Sequence, residues 1–85
     1  MFINMSTVEI IEKAEKNSKW IGRNYKRLAN KYENRWVAVL DTRVIDSDKD
    51  LQTLVSRLRK ELSARYPEAA IEYVTKNPIN MVLVI

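Results

Sequence analysis

Cysteine and histidine are both absent from these 85 residues. Without cysteine there is no disulfide and no thiolate metal site. Without histidine the commonest general base and the commonest metal ligand are missing. Glycine occurs once, at Gly22, which excludes the phosphate loops G-x-G-x-x-G and G-x-x-x-x-G-K-[ST]. No apolar run approaches the ~18–20 residues that span a bilayer. Met1–Met5 is too short for a secretion signal and lacks its basic start and long apolar core. A cytoplasmic protein is expected, with no membrane contact, no metal and no cofactor. Asp, Glu, Lys, Tyr and Ser remain for chemistry, but no constellation of them points to a reaction, so no enzymatic activity is expected.

Fifteen cations face eleven anions, a formal charge of +4. That suits weak attraction to nucleic acid or to an acidic protein and demands neither. The length suits one domain, residues 1–85. A domain this size hides only about 60–65% of the surface its unfolded chain exposes.

The first helix signal is Ser6 with Glu9, an S/T-x-x-E capping box. Ile10, Ala14, Ile21, Tyr25, Leu28 and Tyr32 then recur close to a 3.6-residue period. Glu9–Lys13, Glu12–Lys16 and Glu15–Lys19 are i,i+4 pairs in the favourable order. Asn17-Ser18 and Gly22 are the candidate breaks in this helix.

Two short strands follow, Trp36–Leu40 and Val44-Ile45, around a corner at Asp41-Thr42. That corner sets Val39 opposite Val44 and Ala38 opposite Ile45. One face carries Trp36, Ala38, Leu40 and Ile45, the other Val37, Val39 and Val44. A hairpin apolar on both faces is covered on both sides or lies in an interface. A second helix, from Ser47 or Asp48 to Tyr66-Pro67, carries the stripe Leu51, Leu54, Val55, Leu58 and Leu62. Ala70–Val74 reads as a third strand, Thr75–Asn80 as a loop, and Met81–Ile85 as a last, wholly apolar strand. The expectation is an α+β fold in the order α-β-β-α-β-β. Its small antiparallel sheet has strand three beside strand one and the second helix on one face. The first helix covers the other face or reaches a second subunit.

Few features suggest a site. Asp46-Ser47-Asp48-Lys49-Asp50 begins like a calcium loop, but the sixth and twelfth positions are Leu51 and Arg57 rather than Gly and Glu. Helix capping is the simpler role. Asp41 has no second carboxylate facing it and reads as a turn residue. From Lys16 to Lys31 there are six cations and no acid. Lys19, Arg23, Arg27 and Lys31 stand four apart, beside Trp20. Such a ridge with an exposed indole suits a phosphate backbone and base stacking; the plainer alternative is a solvated face with Trp20 at the core edge. Arg57, Arg59, Lys60 and Arg65 form a second basic group, favoured at a helix end on its own account.

Ser18-Lys19-Trp20-Ile21, Asn24-Tyr25, Leu28, Tyr32, Trp36-Val37-Ala38-Val39, Asp41, Val44-Ile45 and Leu51 resemble a group of small prokaryotic proteins. That group is catalogued only as a domain of unknown function. In it a W-[IL]-x-x-N-Y helix precedes a K-W-V-A-V-x-D-G-x-V-[VI] hairpin. The resemblance runs over residues 18–62 and more loosely to the end, which makes 18–85 the core and 1–17 an N-terminal helical extension. It implies a fold and no activity. Asn34 and Thr42 stand where the group has glycine. Threonine tolerates positive φ poorly, so a loop running through Arg43 is expected rather than a two-residue turn.

Two functions fit these observations. The first is a protein–protein interaction or regulatory, antitoxin-like module acting as a homodimer, with Val37, Val39, Val44, Met81 and Leu83 as interface candidates. The second is nucleic-acid binding through Lys19, Trp20, Arg23, Arg27 and Lys31.

Overall fold

A computed structural model describes residues 4–76. The expected strand Met81–Ile85, with Met81 and Leu83, lies outside the described residues. The elements are α1 (Asn4–Arg23), α2 (Tyr25–Lys31), β1 (Arg35–Leu40), β2 (Arg43–Asp48), α3 (Leu51–Leu62), a 3-10 helix (Ser63–Glu68) and β3 (Ala70–Val74). The strand order is β2-β1-β3, and both neighbours run antiparallel to β1. β2 and β3 are therefore parallel to each other, joined through α3 by a crossover that skips the central strand. The class is α+β, as expected.

The first helix divides at Asn24, not at Asn17-Ser18 or Gly22. Asn24 sits at φ −112, ψ 15, outside helical geometry. Its Nδ2 donates to the Trp20 carbonyl at 2.8 Å, the same oxygen that accepts its backbone N–H at 3.1 Å. An asparagine side chain that competes for helix carbonyls bends the chain there. Ser6 lies within α1 rather than ahead of it.

The hairpin is covered on both sides by the chain's own helices. On one side Val37 and Val39 pack with Ile21 of α1, Leu28 and Ala29 of α2, and Ala70 and Val74 of β3. On the other, Ala38 packs with Leu54 and Leu58 of α3, ringed by Trp36, Leu62, Tyr66 and Ile71. The alternation read along β1 holds. Along β2 it slips: Val39 faces Val44 as expected, but Ala38 faces Asp46 and the register shifts between them. Ile45 is the extra residue of a β-bulge, and it ends up partly exposed. The bulge presents Asp46 to α3, where Arg57 meets it.

The corner differs from expectation. Leu40 pairs with Arg43, so the turn has two residues. Asp41 and Thr42 both take positive φ, 54 and 55, the backbone of a type I′ turn. For residues with a Cβ this costs roughly 1–2 kcal/mol each, so something outside the hairpin must hold it. The Thr42 N–H donates to Asn17 Oδ1 at 2.9 Å, and the Thr42 hydroxyl donates to the Asp41 carbonyl at 2.7 Å. The Asp41 carboxylate accepts from Arg65 Nη2 at 2.9 Å.

α3 begins later than the acidic cluster suggested, because β2 runs on to Asp48. Asp50 is its N-cap, with Oδ2 accepting from the Thr53 N–H at 2.8 Å and the Thr53 hydroxyl at 2.7 Å. The helix stops at Leu62, ahead of Tyr66-Pro67. Ser63 turns to φ 48, and the 3-10 helix takes in the proline. No helix among the described residues is long and apolar enough to cross a membrane.

Candidate functional site

The residues singled out in the sequence separate into three groups. Val37 and Val39 are fully buried under α1 and α2, and Val44 is packed against the same cluster. Val37 and Val39 therefore belong to the core and present no surface to a second chain. The sequence asked what covers the hairpin, and the chain's own helices do.

The acids are held in place. Arg57 spans the end of β2 with Nε 3.0 Å from Asp46 Oδ2, Nη2 3.0 Å from Asp46 Oδ1 and Nη1 2.9 Å from Asp48 Oδ2. A guanidinium fork matches a carboxylate in this way. The Asp46 and Asp48 bonds raise the Arg57 pKa. The Asp48 pKa is lowered, first by the Asp50 N–H and then by Arg57; that of Asp50 is lowered by the Thr53 hydroxyl and N–H. Arg65 joins Glu68 and Asp41, both at 2.9 Å, which raises its pKa, Glu68 contributing most. Arg59 lies over the Tyr66 ring at 5.4 Å. The second basic group is thus largely a set of internal fastenings. Among the described residues no group of acids is arranged to hold a metal ion.

The cations of α1 and α2 remain. Lys16, Lys19, Arg23, Lys26, Arg27 and Lys31 are all exposed, and among the described residues none forms an ion pair. Trp20 does not stand free. It is half-buried against the α1-side core, and the Arg27 guanidinium lies 5.7 Å from its ring centroid. Arg27 is also tied to Asn24 Oδ1 at 2.9 Å. One aromatic face is therefore already used, and the ridge is a cationic surface without a free stacking platform. Lys31 similarly lies over Tyr32 at 5.5 Å.

Three features were not read from the sequence as sites. Asn17 is 3% exposed and ties α1 to the turn and to the 3-10 helix; a polar residue within the Ile10–Ala14–Ile21 stripe was the available signal. Tyr25 places its hydroxyl at the outer edge of β3, between Tyr73 and Thr75. Val8 and Ile11 are 52% and 54% exposed, off the face of α1 that meets the core. Among the described side chains of α1, Ile21 and Trp20 enter the core clusters. The turns before Asn17 form an arm on a molecule with principal extents of 46 × 25 × 24 Å.

A family model described as "Family of unknown function (DUF5678)" matches residues 27–77. No curated protein and no solved structure matches the chain.

Proposed function

The chain belongs to this family of unknown function (DUF5678), and we propose that it is a protein–protein interaction module, a regulatory subunit of the antitoxin-like kind, that works as a homodimer. The observation that carries this is the exposed apolar pair on the α1 arm. Val8, Ile11, Glu15, Ser18 and Gly22 follow at spacings of three and four, so they share one helix face. A helical arm of about twelve residues is marginal in water without packing, and Val8 and Ile11 leave its apolar atoms in solvent. A second copy of the arm supplies the missing contact. In an antiparallel pair, Val8 and Ile11 meet the Ser18 and Gly22 end of the other arm, where side chains are small. A Cβ built at Gly22 would meet nothing within 4 Å, so that end has room. In the same orientation Glu12 and Glu15 of one arm approach Lys19 and Lys16 of the other, which offsets the meeting of the two copies of Glu15 at the centre of the pair. Sedimentation over a concentration series should show a dimer for the native chain and a monomer for the Val8→Lys, Ile11→Lys double variant, whose circular dichroism should lose no more than the helix of the arm. A native chain that stays monomeric at high concentration removes the proposal.

A second reading, nucleic-acid binding, is favoured by the six exposed, unpaired cations between Lys16 and Lys31. Without a free indole, phosphate contacts carry it, so affinity for duplex DNA should fall steeply with salt. The Arg23→Glu, Arg27→Glu variant should lose binding in fluorescence anisotropy. Binding that is indifferent to salt, or kept by this variant, rules the reading out.

A further inference from the structure

β3 is an edge strand, and its outer side is only partly closed. The Asn34 N–H donates to the Val74 carbonyl at 2.9 Å, so the backbone groups of Val74 face β1. Along a strand these groups alternate sides. Those of Glu72 then also face β1, and those of Ile71, Tyr73 and Thr75 face outward. Tyr25 occupies one end of this outer row. Its hydroxyl donates to the Tyr73 carbonyl at 3.4 Å and accepts the Thr75 N–H at 3.1 Å. Among the described residues the Ile71 N–H and carbonyl and the Tyr73 N–H have no strand beside them, and folded proteins ordinarily pair or protect such an edge.

We infer that this edge is a strand-docking site whose occupant is the chain's own segment Met81–Ile85, added as a fourth strand antiparallel to β3. Three observations select that occupant. Both faces of the sheet are covered, by α1 and α2 on one side and α3 on the other. A strand added to it must be apolar on both sides, and Met81-Val82-Leu83-Val84-Ile85 is. Alternation puts Val82 and Val84 on one side of the added strand and Met81, Leu83 and Ile85 on the other, so either register presents apolar side chains to both faces.

The exit of the chain is also fixed. Lys76 Nζ lies 3.5 Å from Glu33, and the Thr75 hydroxyl donates to Asn34 Oδ1 at 2.9 Å. These contacts hold the end of β3 beside a groove of about 520 Å³ between it and α2, lined by Tyr25, Lys26, Ala29, Asn30, Thr75 and Lys76. Lastly, the connection Thr75–Asn80 spans up to roughly 20 Å when extended, ample for a return to the adjacent strand position about 4.8 Å away. The Tyr25 bridge prevents a tight hairpin directly after Tyr73, and this wider connection accommodates it.

Amide exchange by NMR tests the site, because it reads individual N–H groups. The Ile71 and Tyr73 amides should exchange at least ~100-fold more slowly in the full chain than in a chain truncated after Asn80. Glu72 and Val74, bonded to β1, should stay protected in both. The protection should not change on dilution. Equal exchange in the two chains overturns the inference, and so does protection that fades on dilution, which would assign the edge to a second copy. If the truncated chain does not fold, cross-strand contacts between Ile71 or Tyr73 and residues of Met81–Ile85 in the full chain decide it: seen, they support the fourth strand; absent, they overturn it.

Discussion

Replacing Asn17 with leucine should destabilise the fold by about 2–5 kcal/mol, despite adding apolar volume to a buried position. The side chain is 3% exposed, and both ends are used. Nδ2 donates to the Glu68 carbonyl at 2.8 Å, and Oδ1 accepts the Thr42 N–H at 2.9 Å. Leucine leaves a donor and an acceptor without partners, at about 1–3 kcal/mol each. It also releases the turn from the contact that offsets its two positive φ angles. A domain of this length has roughly 4–13 kcal/mol in total, so the urea midpoint should drop sharply. Asn17→Asp keeps the acceptor for Thr42 but turns a buried carboxylate toward the Glu68 carbonyl, so its midpoint should also fall well below that of the native chain. A leucine variant within about 1 kcal/mol of the native chain would show that Thr42 and Glu68 find other partners, and that the turn is held by Arg65.

The fastening role of Asn17 explains which parts of the structure were legible in the sequence. Local signals were read well. The period of α3 includes Leu54 and Leu58, the two residues of that helix that are fully buried. The apolar run Trp36–Leu40 lies within β1, and Ala70–Val74 is β3 with the same ends. Contacts between distant segments were not legible. Asn17 meets Thr42 across 25 residues and Glu68 across 51, and spacing along the chain cannot express that. The Asp41-Thr42 turn was misjudged for the same reason. Threonine disfavours positive φ by itself, and what holds it there comes from α1. Asn34, the other position where the resembled group has glycine, also takes positive φ, 60. Of the candidate site, the cations of α1 and α2 were legible because charge needs no tertiary context to be counted. The occupied face of Trp20 was not, since it depends on where the bend at Asn24 brings Arg27. The interface candidates Val37 and Val39 were placed on the wrong side of one question: an apolar strand face looks the same whether its cover is a helix of its own chain or a partner.

The other large effect is expected at Leu58. Leu58→Ala should cost about 2–5 kcal/mol, the range for a fully buried leucine whose cavity the surroundings only partly refill. α3 is attached to the sheet through a small cluster. Among the described residues Ala38, Leu54 and Leu58 are the fully buried ones there, and Trp36, Leu62, Tyr66 and Ile71 form a partly exposed rim. Ala38 has little side chain to extend into a void, and the Arg57 ion pairs hold α3 against β2 at a fixed height, so collapse onto the cavity is restricted. Leu62→Ala, on the rim, should cost less than half as much, since part of its surface already faces water. Thermal midpoints make the comparison directly: each kcal/mol is about 4–8 °C for a domain of this size, so Leu58→Ala should fall by at least ~8 °C. The same pair separates core from interface. α3 packs on the opposite face of the sheet from α1, so a Leu58→Ala chain that remains folded in the cold should still dimerise through its α1 arm. If it became monomeric there while keeping its circular dichroism, the dimer contact would lie on α3, and the proposed pairing of Val8 and Ile11 with Ser18 and Gly22 would be wrong.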